Sequence, residues 1–120
     1  MKAGRKISGG KYHRRRKKRL HERPGQPRTV KIGPEKRKIL KGKGGNKKVV
    51  LLMSDTANVK DKTGKTKNVK IKNVLETPSN RFLARQNILV KSAIIETDLG
   101  KARITNRPSQ EGNVQAVLIE

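Results

Sequence analysis

From residue 28 onward, apolar and polar side chains alternate in short runs separated by turn-forming residues; before it, no apolar period of 2 or 3.6 emerges. In residues 29–32, Val30 and Ile32 share one face, and Gly33-Pro34 then turns the chain. Residues 36–41 are a second candidate strand, followed by the loop Gly42-Lys43-Gly44-Gly45-Asn46, whose three glycines can take positive φ. Residues 47–53 carry the doublets Val49-Val50 and Leu51-Leu52, which predict a strand covered on both faces and the start of the core. A turn-rich stretch over 54–67 holds a short strand at 57–60 and a tight connection at Asp61-Lys62-Thr63-Gly64. Residues 68–76 then alternate, with Val69, Ile71 and Asn73 on one face and Lys70, Lys72 and Val74 on the other, a strand with a basic outer face.

Residues 81–87 are the one ordered helix expected outside the leading segment, with Ser79 or Thr77 as its cap and Arg81 and Arg85 four apart on a shared face. Strands follow at 88–91, 93–97, 101–106 and 113–119, with turns at Asp98-Leu99-Gly100 and from Pro108 to Gly112. Strands of this length joined by short polar turns, with no crossover helices, indicate an antiparallel sheet closing on itself. The predicted fold is mainly β: a small antiparallel β-barrel or barrel-like sheet with one short helix and a basic, extended N-terminal arm. The expected division is an arm over residues 1–27, punctuated by Gly4, Gly9, Gly10, Pro24, Gly25 and Pro27, and a barrel-like domain over 28–120.

Composition sharpens the arm. The apolar fraction is 31%, with one Phe, one Tyr and no Trp, so few large side chains can fill an interior. Residues 1–48 hold 20 Lys and Arg against only Glu22 and Glu35, a net +18 of the chain's +23. Charge of this density opposes compaction and calls for a polyanion. Residues 14–23 have the propensity for a short helix, which their stacked positive charge opposes until phosphates neutralise it. The apolar runs are far too short to span a bilayer, and the first residues lack a signal peptide's apolar core, so no membrane partner is expected. The absence of cysteine fits a reducing compartment, the cytoplasm.

Catalytic and cofactor chemistry finds little support. Thr63-Gly64-Lys65-Thr66 looks like the end of a phosphate loop, but position 59 is Val where the first glycine belongs, and a strand-like pattern follows where a helix is needed. Gly42-Lys43-Gly44-Gly45 begins like a dinucleotide fingerprint and fails at Lys47. His13 and His21 lie among cations with no Cys, a poor metal site. The nine carboxylates are scattered and no triad or acid/base pair can be spaced from them. The chain therefore reads as a non-enzyme with no catalytic residue, metal, cofactor or small-molecule substrate.

Nucleic acid is the polyanion that fits. The basic run Arg14-Arg15-Arg16-Lys17-Lys18-Arg19 would be a solvated tail or an address tag if it stood alone, but basic residues continue across the candidate strands and the glycine loop. Few aromatics argue for backbone and shape contacts rather than stacking, and no zinc-finger, helix-turn-helix or heptad spacing is present, which favours folded RNA over DNA. The candidate RNA-binding residues are Arg5, Lys6, Ser8, Gly9, Gly10 and Lys11; Arg14, Arg15, Arg16, Lys17, Lys18 and Arg19; Lys36, Arg37 and Lys38; Gly44, Gly45, Asn46, Lys47 and Lys48; and Arg81 and Arg85. The glycines permit close backbone approach to phosphates, and a tight turn alone is the competing explanation for them.

Particular residues carry a more specific signal. Arg5-Lys6-Ile7-Ser8-Gly9-Gly10-Lys11, the basic run up to Glu22 and Gly25, Thr29-Val30-Lys31-Ile32-Gly33, Gly44-Gly45-Asn46-Lys47-Lys48 and Asn80-Arg81, in this order, resemble the family of ribosomal protein eight of the archaeal and eukaryotic small subunit. The resemblance covers essentially the whole chain, and the chain looks like the short archaeal form. It implies a structural ribosomal protein that binds small-subunit ribosomal RNA, with a β-barrel core, a basic extension entering the RNA, and neighbouring small-subunit ribosomal proteins as further partners. Two positions depart from the family's pattern: His21 stands where an aromatic would precede the acidic residue, and Pro24 interrupts the stretch before Gly25. A ribosome-assembly factor of the same fold and a DNA-compacting architectural protein are the alternatives.

Overall fold

A computed structural model describes residues 4–13 and 15–119. Every described residue before Val30 is exposed, and Val30 is the first to be buried. The accessible surface of 9778 Å² exceeds the roughly 6,500 Å² expected of a compact protein of this mass, because the leading segment packs against little.

Among the described residues, strand β1 (Lys36–Lys41), β2 (Lys47–Met53), β3 (Thr56–Lys60) and β4 (Thr66–Glu76) precede helix α1 (Arg81–Arg85), and β5 (Ile94–Thr97), β6 (Gly100–Ile104) and β7 (Gln115–Leu118) follow it. β1 and β2 form a two-stranded antiparallel sheet, and β3 to β7 close into a five-stranded barrel in sequence order. The mainly β fold with one short helix is thus the one the alternation predicts. Consecutive barrel strands pair antiparallel, while the closing pair, β3 with β7, runs parallel through Asn58↔Gln115, Val59↔Ala116 and Lys60↔Val117.

The interior is filled by Val59, Val69, Ile71, Val74, Ile95, Ala102, Ile104 and Ala116, with Val30, Leu51 and Leu89 joining the same cluster. A five-stranded barrel has a narrow lumen, so β-branched and small residues suffice and no aromatic is needed. Val74 was expected on the outer face. A β-bulge between Ile71 and Asn73, where Ile71 opposes Thr97 but Asn73 already opposes Glu96, inserts one residue and reverses the alternation, so Val74 turns inward opposite Ile95 and Asn73 turns out.

The strands expected over 29–32 and 88–91 are not ladders. Lys31 makes single bridges to Met53 and Ile88, and the Leu89 N–H donates to the Val30 carbonyl at 2.8 Å. Positive φ at Asn87 (53°) and Ser92 (67°) breaks the backbone on both sides of the second run before a ladder can extend. The short helix is capped by Asn80, whose Oδ1 accepts from the Phe82 N–H at 3.0 Å, rather than by Thr77 or Ser79. Thr77 is buried, which removes it from that role. The Asp61-Lys62-Thr63-Gly64 stretch is the β3–β4 hairpin turn, with Gly64 at φ +85° and its N–H donating to the Asp61 carbonyl at 3.0 Å.

Candidate nucleic-acid interface

The arm's residues 5–11 form a small closed loop. Arg5 bridges Lys11, the Lys6 N–H donates to the Gly10 carbonyl at 2.9 Å, and the Gly9 N–H donates to the Lys6 carbonyl at 2.9 Å. Gly9 sits at φ +77°, a conformation that a side chain disfavours. Arg5 Nη1 donates to the Gly9 carbonyl at 3.0 Å, and Lys6 Nζ lies 5.7 Å from the Tyr12 ring centroid. Ile7 and Ser8 therefore stand at the centre of the tight turn that Gly9 closes, and residues 7–10 stay open to solvent.

Arg14 lies outside the described residues. Beyond it, one carboxylate organises the basic run. Glu22 takes both guanidinium nitrogens of Arg16, Nη1 at 2.9 Å and Nη2 in a shorter contact, and accepts from the Arg19 N–H at 3.0 Å. The last bond caps the 3-10 turn Leu20–Glu22, which the Glu22 N–H closes by donating to the Arg19 carbonyl at 3.0 Å; among the described residues it is the only helical turn in the stretch where a short helix was considered. Arg16 first, and the Arg19 N–H second, hold the Glu22 carboxyl below the usual carboxylate range. Arg15, Lys17 and Lys18 have no acidic partner among the described residues.

β1 and β2 carry the second group of candidates. Lys36 and Arg37 lie at the end nearest β3, opposite Met53 and Leu51, and Arg37 is ion-paired with Glu35. Lys38 is exposed opposite Val50. At the other end the connection is closed by the Gly42 N–H donating to the Asn46 carbonyl at 2.6 Å, with Gly44 and Gly45 at φ +69° and +77°. No atom lies within 4 Å of where a Cβ would stand on either glycine. Their backbone is thus both required to turn and free to be approached. Lys47 stands directly opposite Lys41, with Lys43 in the turn between them. Like charges directly opposed on a sheet are destabilising, and an anion placed there relieves the repulsion.

The 107–113 loop supports this hairpin from the barrel. Lys48 Nζ donates to Gln110 Oε1 at 2.5 Å, and the Leu51 N–H donates to the Pro108 carbonyl at 3.3 Å. A Cβ on Gly112 would stand 2.7 Å from Val49 Cγ1. The loop itself is pinned by Asn106, whose Nδ2 donates to the Asn113 carbonyl (2.9 Å), Glu111 Oε2 (3.0 Å) and Asn113 Oδ1 (3.1 Å) while its Oδ1 accepts from the Gln115 N–H (3.0 Å). The sequence reasoning missed this support. Gln110 is 62 residues from Lys48, and no local pattern announces such a contact.

Arg81 and Arg85 lie on α1 and line one shallow cleft with Phe82. The candidates are therefore brought together as groups, in the arm, on the hairpin and on α1, rather than as one constellation. Among the described residues no group of three or more His, Cys, Asp or Glu is placed to hold a metal ion, and no helix is long and apolar enough to cross a membrane.

The profile of the Ribosomal protein S8e family matches residues 1–119. The chain belongs to that family. A relative in Methanocorpusculum labreanum, named small ribosomal subunit protein eS8, is 46% identical over 120 residues, which cover 99% of this chain and 96% of the relative. Proteins of the same name in Methanocella arvoryzae and Nanoarchaeum equitans are 47% and 45% identical, covering 98% and 95% of this chain and 95% and 91% of theirs. Membership in the S8e family spans both the basic leading segment and the barrel, so neither is an appendage peculiar to this chain.

Proposed function

We propose that this chain is a structural constituent of the small ribosomal subunit that binds and stabilises folded small-subunit ribosomal RNA through its basic arm and the Gly44-Gly45-Asn46 loop. The observation that carries this is the state of the first 48 residues' charge. Both carboxylates of that stretch, Glu22 and Glu35, are already taken by Arg16 and Arg37, so the remaining positive charge has no acidic partner within it. Family membership supplies the polymer: the relatives are named as small ribosomal subunit proteins. On this reading residues 1–27 are the RNA-entering arm and 28–120 the barrel-like domain. The turns at Gly9 and Gly44-Gly45 let the backbone approach phosphates, Asn46 offers its free amide to a sugar or base edge, and Lys47, Lys48, Lys36, Lys38, Arg81 and Arg85 add charge. The partners are small-subunit ribosomal RNA and neighbouring ribosomal proteins, the place is the ribosome in the cytoplasm, and the role is not catalytic.

Affinity for a small-subunit ribosomal RNA transcript, measured against salt and in competition with duplex DNA, tests this. Neutralising six to ten phosphates predicts a fall of roughly 10³ to 10⁵ in affinity between about 50 and 200 mM salt. Equal affinity for duplex DNA refutes the ribosomal reading, and release of the chain from mature small subunits by a mild wash shifts it to an assembly factor.

A further inference from the structure

Helix α1 exposes the chain's single phenylalanine. Phe82 is 57% exposed, whereas its neighbours Leu83 and Ala84 turn inward and Ala84 packs on the barrel core. The helix is therefore anchored without the ring. Burying Phe82 would have been favourable by the usual apolar-area measure, yet Asn80 fixes the helix start at the Phe82 N–H, and with Leu83 and Ala84 on the inward side the ring is left on the solvent side. Arg81 lies over the ring, its guanidinium carbon 5.4 Å from the centroid, and Arg85 borders the same cleft. Neither arginine has an acidic partner among the described residues.

An exposed aromatic ring with one unpaired guanidinium over it and a second lining the same cleft suits a nucleobase better than an apolar protein surface. A protein partner burying Phe82 would also bury two charges and would have to supply carboxylates for both. A nucleotide brings the two complements together, a π-face for the ring and phosphates for the arginines. Arg81 stands too close to the ring for a base to fit between them, so the base takes the ring's open face. We propose that Phe82 is a stacking platform for one unpaired base of the RNA, with Arg81 holding the ring from its other side and Arg85 placed for an adjacent phosphate. The inference rests on the RNA-binding reading above and changes its mode at one place, from backbone contact alone to backbone contact plus one stacked base.

The test uses the full chain and a small-subunit ribosomal RNA transcript. Stacking of a single base predicts that Phe82→Ala weakens binding by about 5- to 160-fold with the salt slope unchanged. Arg85→Ala instead lowers the salt slope by about 1. Because Phe82 is outside the core, the thermal midpoint of Phe82→Ala should match that of the parent. The chain has no tryptophan, so Phe82→Trp creates a single reporter, expected to keep parental affinity and to lose indole emission when RNA is added. Phe82→Leu should behave like Phe82→Ala. Parental affinity in Phe82→Ala, full affinity in Phe82→Leu, or unquenched emission from bound Phe82→Trp each overturns the stacking proposal, the second in favour of a merely apolar contact with the RNA. Failure of the parent chain to prefer the RNA transcript over duplex DNA overturns the functional reading instead, and the two failures are read from different samples.

Discussion

Replacing Asn106 by Ala removes the pin between the barrel and the loop that supports the basic hairpin. Asn106 is 9% exposed, and its amide serves four hydrogen bonds, two nitrogen-bound hydrogens being shared among three acceptors. Truncation leaves the Gln115 N–H and the Asn113 carbonyl without their partner, while Glu111, which is exposed, turns to water. Orphaning a buried backbone group costs about 1–3 kcal/mol; these two groups are only partly buried, so water rescues part of that and a loss of roughly 2–4 kcal/mol is expected for the pair. That is a large share of the roughly 5–15 kcal/mol that holds a domain together, and thermal unfolding should show it as a midpoint lowered by about 10–20 °C. Asn106→Asp adds a sign. Its carboxylate would keep the Gln115 N–H, which favours the charged form, but would face Glu111 Oε2 and two Asn113 oxygens with nothing to donate to them, and these three acceptors outweigh the one donor and raise its pKa in the folded state. A raised folded pKa means that the folded state binds the extra proton first, and stability relative to Asn106→Ala recovers as pH falls through that value. A midpoint shift under about 3 °C for Asn106→Ala, or no relative recovery of Asn106→Asp in acid, would show that the loop is not held this way.

Three further substitutions or truncations probe the same chain of causes. Gly112→Ala places a Cβ 2.7 Å from Val49 Cγ1, against a β-branched side chain with little freedom to yield; unfolding should show a loss of about 1–3 kcal/mol that Val49→Ala largely cancels, and simple additivity would refute the contact. Glu22 should titrate, by carbon NMR, below the usual glutamate value of about 4.3, because Arg16 favours its charged form. Its contribution to arm structure is thus complete at neutral pH and is lost only as pH falls through that depressed value, and Arg16→Ala should move the midpoint up. Deleting residues 1–27 leaves Val30 and all the barrel residues in place, so circular dichroism should report a folded β protein whose RNA affinity has collapsed; an unfolded remnant would place the arm inside the folding unit.

How much of this could be read from the residues differs between fold and site. The strands β1, β2, β3 and β4 follow from alternation and from glycine punctuation because both act locally, over four to eight positions. What alternation cannot register is a change of parity inside a run, and the bulge at Asn73 is such a change: residue by residue the pattern puts Val74 outside, and only the pairing with Glu96 and Ile95 turns it in. The 88–91 run fails for a related reason, since Ile88, Leu89 and Val90 look like a strand whether they enter a ladder or, as here, lie between two positive-φ residues, with Leu89 in the core cluster and Val90 packed against it. The parallel closure of β3 on β7 joins segments more than 50 residues apart, beyond any local signal. At the site, basic residues and glycine turns were visible from the chain, but the Asn106 pin, the Gln110 contact and the solvent-facing Phe82 depend on tertiary placement.

Total charge, likewise, is legible from residues, but which charges are spent is not. Arg16 is matched by Glu22, Arg37 by Glu35 and Lys72 by Asp98 at 3.2 Å, whereas Lys41 and Lys47 face each other unmatched across the end of the hairpin. A count of cations assigns Arg37 and Lys47 the same weight in RNA binding; the pairing does not. Lys47→Ala removes a like-charge opposition worth roughly 0.2–1 kcal/mol, so the free protein should gain slightly in stability while its RNA affinity falls and the salt slope drops by about 1. Arg37→Ala frees the Glu35 carboxylate instead, so it should give no such gain, and the affinity it loses includes the repulsion between Glu35 and the phosphates. Opposite signs in stability and affinity for Lys47→Ala identify a position held under repulsion in the free chain and relieved by the polyanion. If stability and affinity fell together, Lys47 would be a packing residue of the hairpin and the charge argument for the glycine loop would fail.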